Sequence, residues 1–262
     1  MTGSLIMPRF LKIAHEDNHC LVVDKPAGML VEHDENHPAQ RGLESALGLA
    51  KVMLKEIHGK PGNVFLQPVN RIDQPVSGVV VFAKTSKAAS RLVEAFRERT
   101  VEKFYVAVVT GRMPAKSGRL ENYIREGSLK GVMEIVKSSA GGAKKCDLDY
   151  QVIADLPAGR QAVLVRLGTG RKHQIRAQLA HAGCPIAGDR KYGSREAPEW
   201  SHGGKAIALH CYRLRFPHPT RAEKCDASSP PPEFWDKMDG FREGRESILR
   251  QLTAATEPGT WK

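Results

Sequence analysis

The sequence predicts an α+β domain with a mixed, mostly antiparallel central sheet and flanking helices. Short apolar segments of strand composition alternate irregularly with three or four amphipathic stretches, unlike the regular strand–helix repeat of a doubly wound sheet. The 262-residue chain is 41% hydrophobic and 26% charged, which is enough apolar material for a packed core. Because no repeat or composition shift divides it, residues 1–262 are expected to form a single domain.

Hydrophobic periodicity and turn residues define the elements of the first half. Apolar positions recurring every three or four residues predict a helix over 42–56. Thr85 or Ser86 is placed to cap a second helix, whose expected apolar stripe includes Val93. A break after the first strand places Lys25 on a loop. β-forming residues predict strands at 21–23, 64–69, 79–83 and 104–109.

The second half is expected to contain hairpins, one further helix and a helical extension. Residues 111–150 are polar and rich in Gly and Lys, as is typical of hairpins with loops. A helix is predicted over 171–182, closed by Gly183. Apolar residues at helical spacing predict turns over 233–262 that pack back on the domain. Strands are expected at 162–167 and 207–216.

The charge distribution indicates a polyanionic partner. The chain has 40 Lys+Arg against 29 Asp+Glu, a formal net charge of +11, and residues 160–224 hold 13 basic and 4 acidic residues. Such a block favours nucleic acid, with a solvated basic face as the alternative. No apolar run reaches bilayer-spanning length and no signal-peptide core is evident. A cytoplasmic protein without a membrane partner is therefore expected.

Cysteine and histidine spacing predicts neither a metal site nor a cofactor. Five cysteines without a CxxC pair argue against a disulfide framework and a Cys-rich zinc site. His173, His181 and His210 lack carboxylate or Cys partners at metal-ligand spacing. Gly168 and Gly170 begin like a dinucleotide fingerprint, but His173 stands where the third glycine belongs. The expected site therefore contains no metal and uses no cofactor.

Asp73 is the strongest candidate for a reactive group. It lies in a short connection between apolar strands, two residues after Arg71, and a carboxylate near a guanidinium stays ionised and can act as nucleophile or base. The structural alternative is that Asp73 only caps its turn. Gly170 and the first N–H groups of the next helix, with Arg171 and Lys172, form a candidate phosphate site.

Two further side chains have both a structural and a functional interpretation. Tyr105 is placed to stack on a base, but a strand tyrosine also packs in cores with its hydroxyl paired. Arg176 is placed to reach the site of Asp73 or to contact phosphate alone, while Ile175 and Leu179 belong to the buried face of its helix. The residues alone leave these alternatives open.

Five motifs follow one another in a recognisable order. Asn-Arg-Ile-Asp at 70–73, with Ser-Gly at 77–78 and Ala-Lys-Thr at 83–85, carries the candidate carboxylate. The others are Asp-Lys-Pro-Ala-Gly at 24–28, Glu-Lys-Phe-Tyr at 102–105, Gly-Arg-Lys-His-Gln-Ile-Arg at 170–176 with Gly-Asp-Arg-Lys-Tyr-Gly at 188–193, and Leu-His-Cys-Tyr-Arg-Leu at 209–214. Together they resemble the motifs of the RluA-type RNA pseudouridine synthases, over residues 13 to about 235.

This resemblance implies the pseudouridine synthase fold and an isomerase that needs neither metal nor cofactor. The implied reaction detaches uracil from a uridine in RNA, turns the base and rejoins it through C5. By the resemblance, Asp73 is the catalytic carboxylate, Arg176 is the arginine that pairs with it, and Tyr105 stacks on the base and helps remove the C5 proton. Whether Asp73 attacks the ribose C1′ or initiates a glycal path stays open.

The resemblance also implies how RNA is bound. Arg71 aligns with the arginine that enters the RNA where the nucleotide is flipped out. The expected partner is an rRNA or tRNA stem-loop, bound by a monomer. Since only 23 residues precede Asp24, the family's N-terminal S4-type RNA-binding domain is expected to be missing. The remaining residues expected to bind substrate are Lys25, Arg171, Lys172, His173 and Ile175.

Departures from the family pattern leave the RNA target unassigned. Asn70 replaces a His, Lys172 a Thr, and Gln178 a second His, although none removes a proposed catalytic group. One alternative function is a non-catalytic RNA-binding or RNA-chaperone protein that uses the same basic cleft. Another is a retaining hydrolase using Asp73 on a nucleoside or sugar, for which no second carboxylate motif is present.

Overall fold

The strands and helices divide between two compact units. Unit 1 comprises Met1–Glu102 and Cys211–Ser229, and unit 2 comprises Lys103–His210 and Pro230–Lys262. The expectation of a single domain stays a prediction. The structure is a computed structural model that describes residues 10–33, 44–59, 61–129, 131–195, 199–201 and 205–261.

The described elements are four α-helices, eleven strands and short 3-10 turns. Eight of their strand pairings are antiparallel, so the predicted α+β fold with mostly antiparallel pairing is confirmed. In chain order they are β1 (Lys12–Glu16), β2 (Cys20–Lys25), α1 (Ala46–Ile57), β3 (Gln67–Pro68), β4 (Ser77–Ala83), α2 (Ser86–Arg97), β5 (Glu102–Thr110), β6 (Ser117–Glu126), β7 (Met133–Val136), β8 (Lys144–Leu156), β9 (Arg160–Leu167), α3 (Gln174–His181), β10 (Leu209–Pro217), β11 (Lys224–Ser228) and α4 (Phe241–Ala255).

Unit 1 is organised around the fully buried strand β4. Its strands follow the order β1-β2-β4-β10, with β3 beside β4 and β11 beside β10. Gly78, at the start of β4, has a φ of +118°, and a Cβ on it would overlap the backbone of Cys211. Glycine at this position therefore allows β4 and β10 to approach closely.

Several boundaries in unit 1 differ from the predictions. Lys25 is the last residue of β2 and not a loop residue. The strand predicted at 64–69 shortens to β3, since Pro68 cannot donate to a longer ladder. The helix predicted from 42 begins at Ala46, where Ser45 caps it by accepting the Gly48 N–H, whereas residues 42–43 lie outside the described residues. β1 and β11 were not predicted, because each is short and partly polar.

Helix α2 confirms the predicted cap and corrects the predicted stripe. The Thr85 hydroxyl accepts the Ala88 N–H at 3.2 Å. Val93 is 45% exposed, so its assignment to the buried stripe is wrong. Successive helix residues are about 100° apart, and the stripe around Leu92 is completed by small alanines at 88 and 95.

Thr85→Ala is expected to lower the free energy of unfolding by about 1 kcal/mol, because the Ala88 N–H loses its acceptor. Urea unfolding followed by circular dichroism measures the change. Ser86→Ala, at the exposed first residue of α2, is the matched control. Equal losses in the two variants would contradict the capping role of Thr85.

Unit 2 contains the hairpins and the C-terminal extension. Its strands follow the order β5-β9-β8-β6-β7, and β6 to β8 confirm the hairpins predicted over 111–150. α3 begins at Gln174 and not at 171, because His173 has a left-handed φ of +52°. The extension ends in α4, which packs against β8, and Trp235, Phe241 and Leu252 are buried as predicted. Among the described residues, none of the helices has the length and apolar character to cross a bilayer.

Candidate active site

Asp73 lies on a turn between β3 and β4 that is fastened to the loop after β2. The Val76 N–H donates to the Asp73 carbonyl at 3.0 Å and closes the turn. The Gly28 N–H donates to the Gln74 carbonyl at 2.8 Å, and the Gln74 side-chain amide donates back to the Gly28 carbonyl at 3.0 Å. This reciprocal pair fixes the backbone beside Asp73, whose side chain is half-buried.

Asn70 holds the entrance to this turn. Its Oδ1 accepts the Val81 N–H at 2.8 Å, and the Val69 N–H donates to the Val81 carbonyl at 2.9 Å. The residue that departs from the family's His therefore ties the turn to β4. Because its carboxamide oxygen serves the protein backbone, Asn70 contributes to the placement of Asp73.

Lys25 is buried directly beneath the Asp73 turn. Its Nζ donates to the carbonyls of Met29 at 2.7 Å, Pro26 at 2.9 Å and Gln74 at 3.3 Å. Burial lowers the pKa of Lys25 to about 7, while the charges of Asp73 and a second aspartate oppose that shift. Two predicted site residues therefore interact electrostatically within unit 1. Lys25 is 0% exposed and its Nζ contacts these three carbonyls, whereas substrate contact by Lys25 stays a prediction.

Arg71 faces solvent. Its side chain is 76% exposed, and its described ion pair is with Glu32 at 3.3 Å. An exposed pair of this kind contributes little to stability. The guanidinium is thus accessible to a polyanion, and its predicted entry into the RNA stays a prediction.

In unit 2, Arg176 is held by a buried carboxylate and an aromatic ring. Its Nε and Nη2 donate to the two carboxylate oxygens of Asp189 at 2.7 and 2.9 Å. The guanidinium also lies 4.9 Å from the centre of the Tyr192 ring. A bidentate pair stacked on a ring leaves this side chain little freedom. The pairing of Arg176 with Asp73 stays a prediction.

Asp189 and Tyr192 are the positioning residues that the sequence reasoning missed. Both belong to the motif at 188–193, which is the signal in the sequence that points to them. The Tyr192 hydroxyl accepts the Met133 N–H at 2.8 Å and lies 2.8 Å from Nδ1 of His173. This hydroxyl therefore links the backbone of β7 to the ring of His173 through two hydrogen bonds.

Tyr192→Phe is expected to lower the free energy of unfolding by about 1–2 kcal/mol. The ring beneath Arg176 is kept, but the Met133 N–H loses its acceptor and Nδ1 of His173 loses its hydrogen-bond partner. Urea unfolding measures the change. Tyr123→Phe, in the half-buried part of β6, is the control because no described hydrogen bond uses its hydroxyl. A Tyr192→Phe variant as stable as the wild type would contradict this assignment.

The loop before α3 is built around Gln174. Its Oε1 accepts the Arg171 N–H at 3.0 Å and the Thr169 hydroxyl at 2.7 Å, and its Nε2 donates to the Asp147 carbonyl at 2.9 Å. The N–H of Arg171 is therefore hydrogen-bonded within the protein. The Arg171 and Lys172 side chains are exposed, so a phosphate contact by their charges stays a prediction.

Tyr105 and Ile175 are buried residues of unit 2. Tyr105 is buried on β5 opposite Val165 of β9. Ile175 is buried in the first turn of α3, as the sequence predicted for the buried face of its helix. Base stacking by Tyr105 and substrate contact by Ile175 stay predictions.

The same fold occurs in a class of RNA-modifying enzymes, the pseudouridylate synthases. The structure aligns with human RNA pseudouridylate synthase domain containing 4 at a TM-score of 0.69 and 23% identity, covering 92% of this chain and 93% of that one. The family described as RNA pseudouridylate synthase matches residues 19–181. The chain therefore belongs to the RNA pseudouridylate synthase family.

Curated relatives agree with this assignment. Ribosomal large subunit pseudouridine synthase C of Vibrio vulnificus is 33% identical over 230 residues, covering 86% of this chain and 67% of the relative. Ribosomal large subunit pseudouridine synthase D of Xanthomonas campestris is 32% identical over 247 residues, covering 89% and 70%. This chain thus spans about two thirds of the length of these relatives. The predicted RluA-type family and its isomerase class are confirmed.

Proposed function

We propose that this chain converts uridine to pseudouridine in ribosomal RNA, with Asp73 as the catalytic carboxylate. The observation that carries this proposal is the Asp73 turn, which Lys25 and the Gly28–Gln74 pair hold in place. The names of the curated relatives support the large ribosomal subunit as the source of the substrate. The proposed enzyme acts as a cytoplasmic monomer on a stem-loop, and a tRNA stem-loop is the other substrate to test.

The chemistry needs a carboxylate that is ionised and immobile. On one path Asp73 attacks C1′ of the ribose, so that a C–O bond forms as the C1′–N1 bond breaks and the electron pair leaves with uracil. On the other path Asp73 removes the C2′ proton of the ribose as the C1′–N1 bond breaks, so that uracil leaves with the electron pair and a C1′–C2′ double bond, the glycal, forms. On both paths C5 then bonds to C1′: on the first the C1′–O bond to Asp73 breaks, and on the second C2′ takes its proton back from Asp73. The C5 proton then departs, and Tyr105 is proposed to assist its removal. Arg176 is proposed to stabilise the anionic groups formed during the reaction.

Release of tritium from RNA labelled at C5 of uridine tests the proposal. Pseudouridine formation replaces the C5–H bond with a C–C bond, so the wild-type protein is expected to release tritium and to leave the chain length of the RNA unchanged. No release from any ribosomal or transfer RNA would support the non-catalytic RNA-binding alternative. Appearance of free uracil would instead support a hydrolase.

The exposed basic side chains before α3 are expected to contact RNA phosphates. The double variant Arg171→Gln, Lys172→Gln should reduce the steepness of log affinity against log salt concentration by about 1.5, because two fewer positive charges displace counterions from the RNA. Filter binding at several salt concentrations measures the slope. Lys51→Gln with Lys55→Gln, on the exposed face of α1, is the matched control. Identical slopes for the two double variants would contradict a specific phosphate contact at 171–172.

A further inference from the structure

Three buried side chains of unit 1 bring soft donor atoms together. Cys20 begins β2, Cys225 lies in β11, and His218 follows β10. Their ligand atoms all lie within 4.8 Å of one another. The three residues are 0%, 6% and 4% exposed, so the cluster is closed to bulk solvent. The spacing of residues in the sequence does not indicate this cluster, because Cys20 is far along the chain from His218 and Cys225 and only the fold brings them together.

We propose that Cys20, His218 and Cys225 form a binding site for a thiophilic divalent ion of the Zn²⁺ class. Two thiolates and one imidazole are the donors that zinc prefers in structural sites. The closed environment indicates an ion that joins β2 to the β10–β11 hairpin. The site is separate from the Asp73 turn and does not depend on the proposed function.

Asp17 supplies the outer support that a metal-binding histidine needs. Its Oδ2 lies 2.9 Å from Nε2 of His218, and its Oδ1 accepts the backbone N–H groups of His19 at 2.7 Å and Cys20 at 2.8 Å. One carboxylate thus orients an imidazole ligand and the backbone that carries a thiol ligand. Carboxylate–histidine contacts of this type are usual around bound metal ions.

His19 offers a further donor at the edge of the cluster. Its Nδ1 is buried and has no hydrogen-bond partner, which is true of only two side-chain atoms among the described residues. The ring centres of His19 and His218 are 5.7 Å apart. A buried nitrogen without a partner is costly, and rotation of the His19 ring towards the cluster would satisfy it as a fourth ligand.

The present hydrogen bonds specify what the ion displaces. The thiols of Cys20 and Cys225 share a hydrogen bond. Binding exchanges two thiol protons for one divalent ion and forms two metal–sulfur bonds. Nδ1 of His218 accepts the N–H groups of Thr220 at 3.2 Å and Arg221 at 2.9 Å. Asp17 and the Arg221 guanidinium lie at the other nitrogen. Because Nδ1 has a single lone pair, coordination by Nδ1 releases both N–H contacts.

Titration of the reduced, chelator-treated full chain with Co²⁺ tests the site. One equivalent is expected to produce thiolate-to-cobalt charge-transfer bands and tetrahedral d–d bands, and Zn²⁺ is expected to abolish them. Cys225→Ala and Cys20→Ser should each lose these bands, whereas Cys184→Ala, at a buried thiol of unit 2, should keep them. Asp17→Asn should weaken Zn²⁺ binding by about 10–100-fold.

Three results would overturn the proposal: wild-type protein that shows no charge-transfer bands, bands that persist in both cysteine variants, or peptide mapping that finds a Cys20–Cys225 disulfide in the freshly isolated chain. The wild-type titration does not require any variant to fold, and circular dichroism confirms the fold of each variant. Tritium release is measured in parallel, so that failure of this site and failure of the proposed enzyme activity are distinguished.

Discussion

Asp73→Asn is expected to lower the rate of pseudouridine formation by on the order of 10⁴-fold or more, with RNA affinity largely retained. The amide keeps the size and much of the hydrogen bonding of the carboxylate, but it cannot attack a sugar carbon or accept a proton as readily. The turn itself is held by backbone and Gln74 contacts that do not use the Asp73 carboxylate. Single-turnover tritium release from C5-labelled RNA measures the rate.

Asp239→Asn is the matched control for this experiment. Asp239 is an exposed carboxylate before α4, outside the proposed machinery, and is expected to leave the rate unchanged. Urea unfolding of both variants separates lost chemistry from lost structure. Asp73→Asn protein that is folded, binds RNA and releases tritium at the wild-type rate would refute the catalytic assignment.

Local patterns in the sequence were sufficient to predict much of the fold. Threonine at position 85 and the apolar periodicity after it predict α2, because capping and helix packing depend on residues close in sequence. The short polar connection around Asp73 was likewise evident as a turn between strands. Val93 shows the limit of this reasoning, since whether an apolar side chain is buried depends on what packs against the helix.

The contacts that support the candidate site depend on distant residues and could not be predicted in the same way. The expectation for Lys25 was a substrate contact, and no local pattern indicated that its Nζ contacts carbonyls that include that of Gln74, far along the chain. Asp189 was visible in a motif, but its bidentate bond to Arg176 depends on how the loop after α3 folds back. A sequence motif can therefore mark a residue such as Asp189, whereas the partner of that residue depends on the fold.

The free energy of unfolding is expected to rise with pH between about 7 and about 10.4 because of Lys25. Its pKa is about 7 in the folded protein and that of an ordinary lysine in the unfolded chain. The folded protein therefore binds fewer protons than the unfolded chain in this range, so that each proton removed favours folding. Between these two pH values the free energy of unfolding is expected to rise by about 4–5 kcal/mol in total, at about 1.4 kcal/mol per pH unit.

Lys25→Met is expected to remove this slope, and it also leaves the carbonyls of Met29 and Gln74 without their donor. Urea unfolding from pH 6 to 10 measures the free energy of unfolding of both proteins. We expect the variant to be the more stable protein at low pH and the wild type to be the more stable one at high pH. Lys51→Met, at an exposed position of α1, should keep the wild-type slope. Parallel curves for wild type and Lys25→Met would show that Lys25 is fully charged when buried. The carbonyls and Asp73 would then compensate its desolvation completely, and Lys25 would act as a permanent positive charge beside the proposed nucleophile.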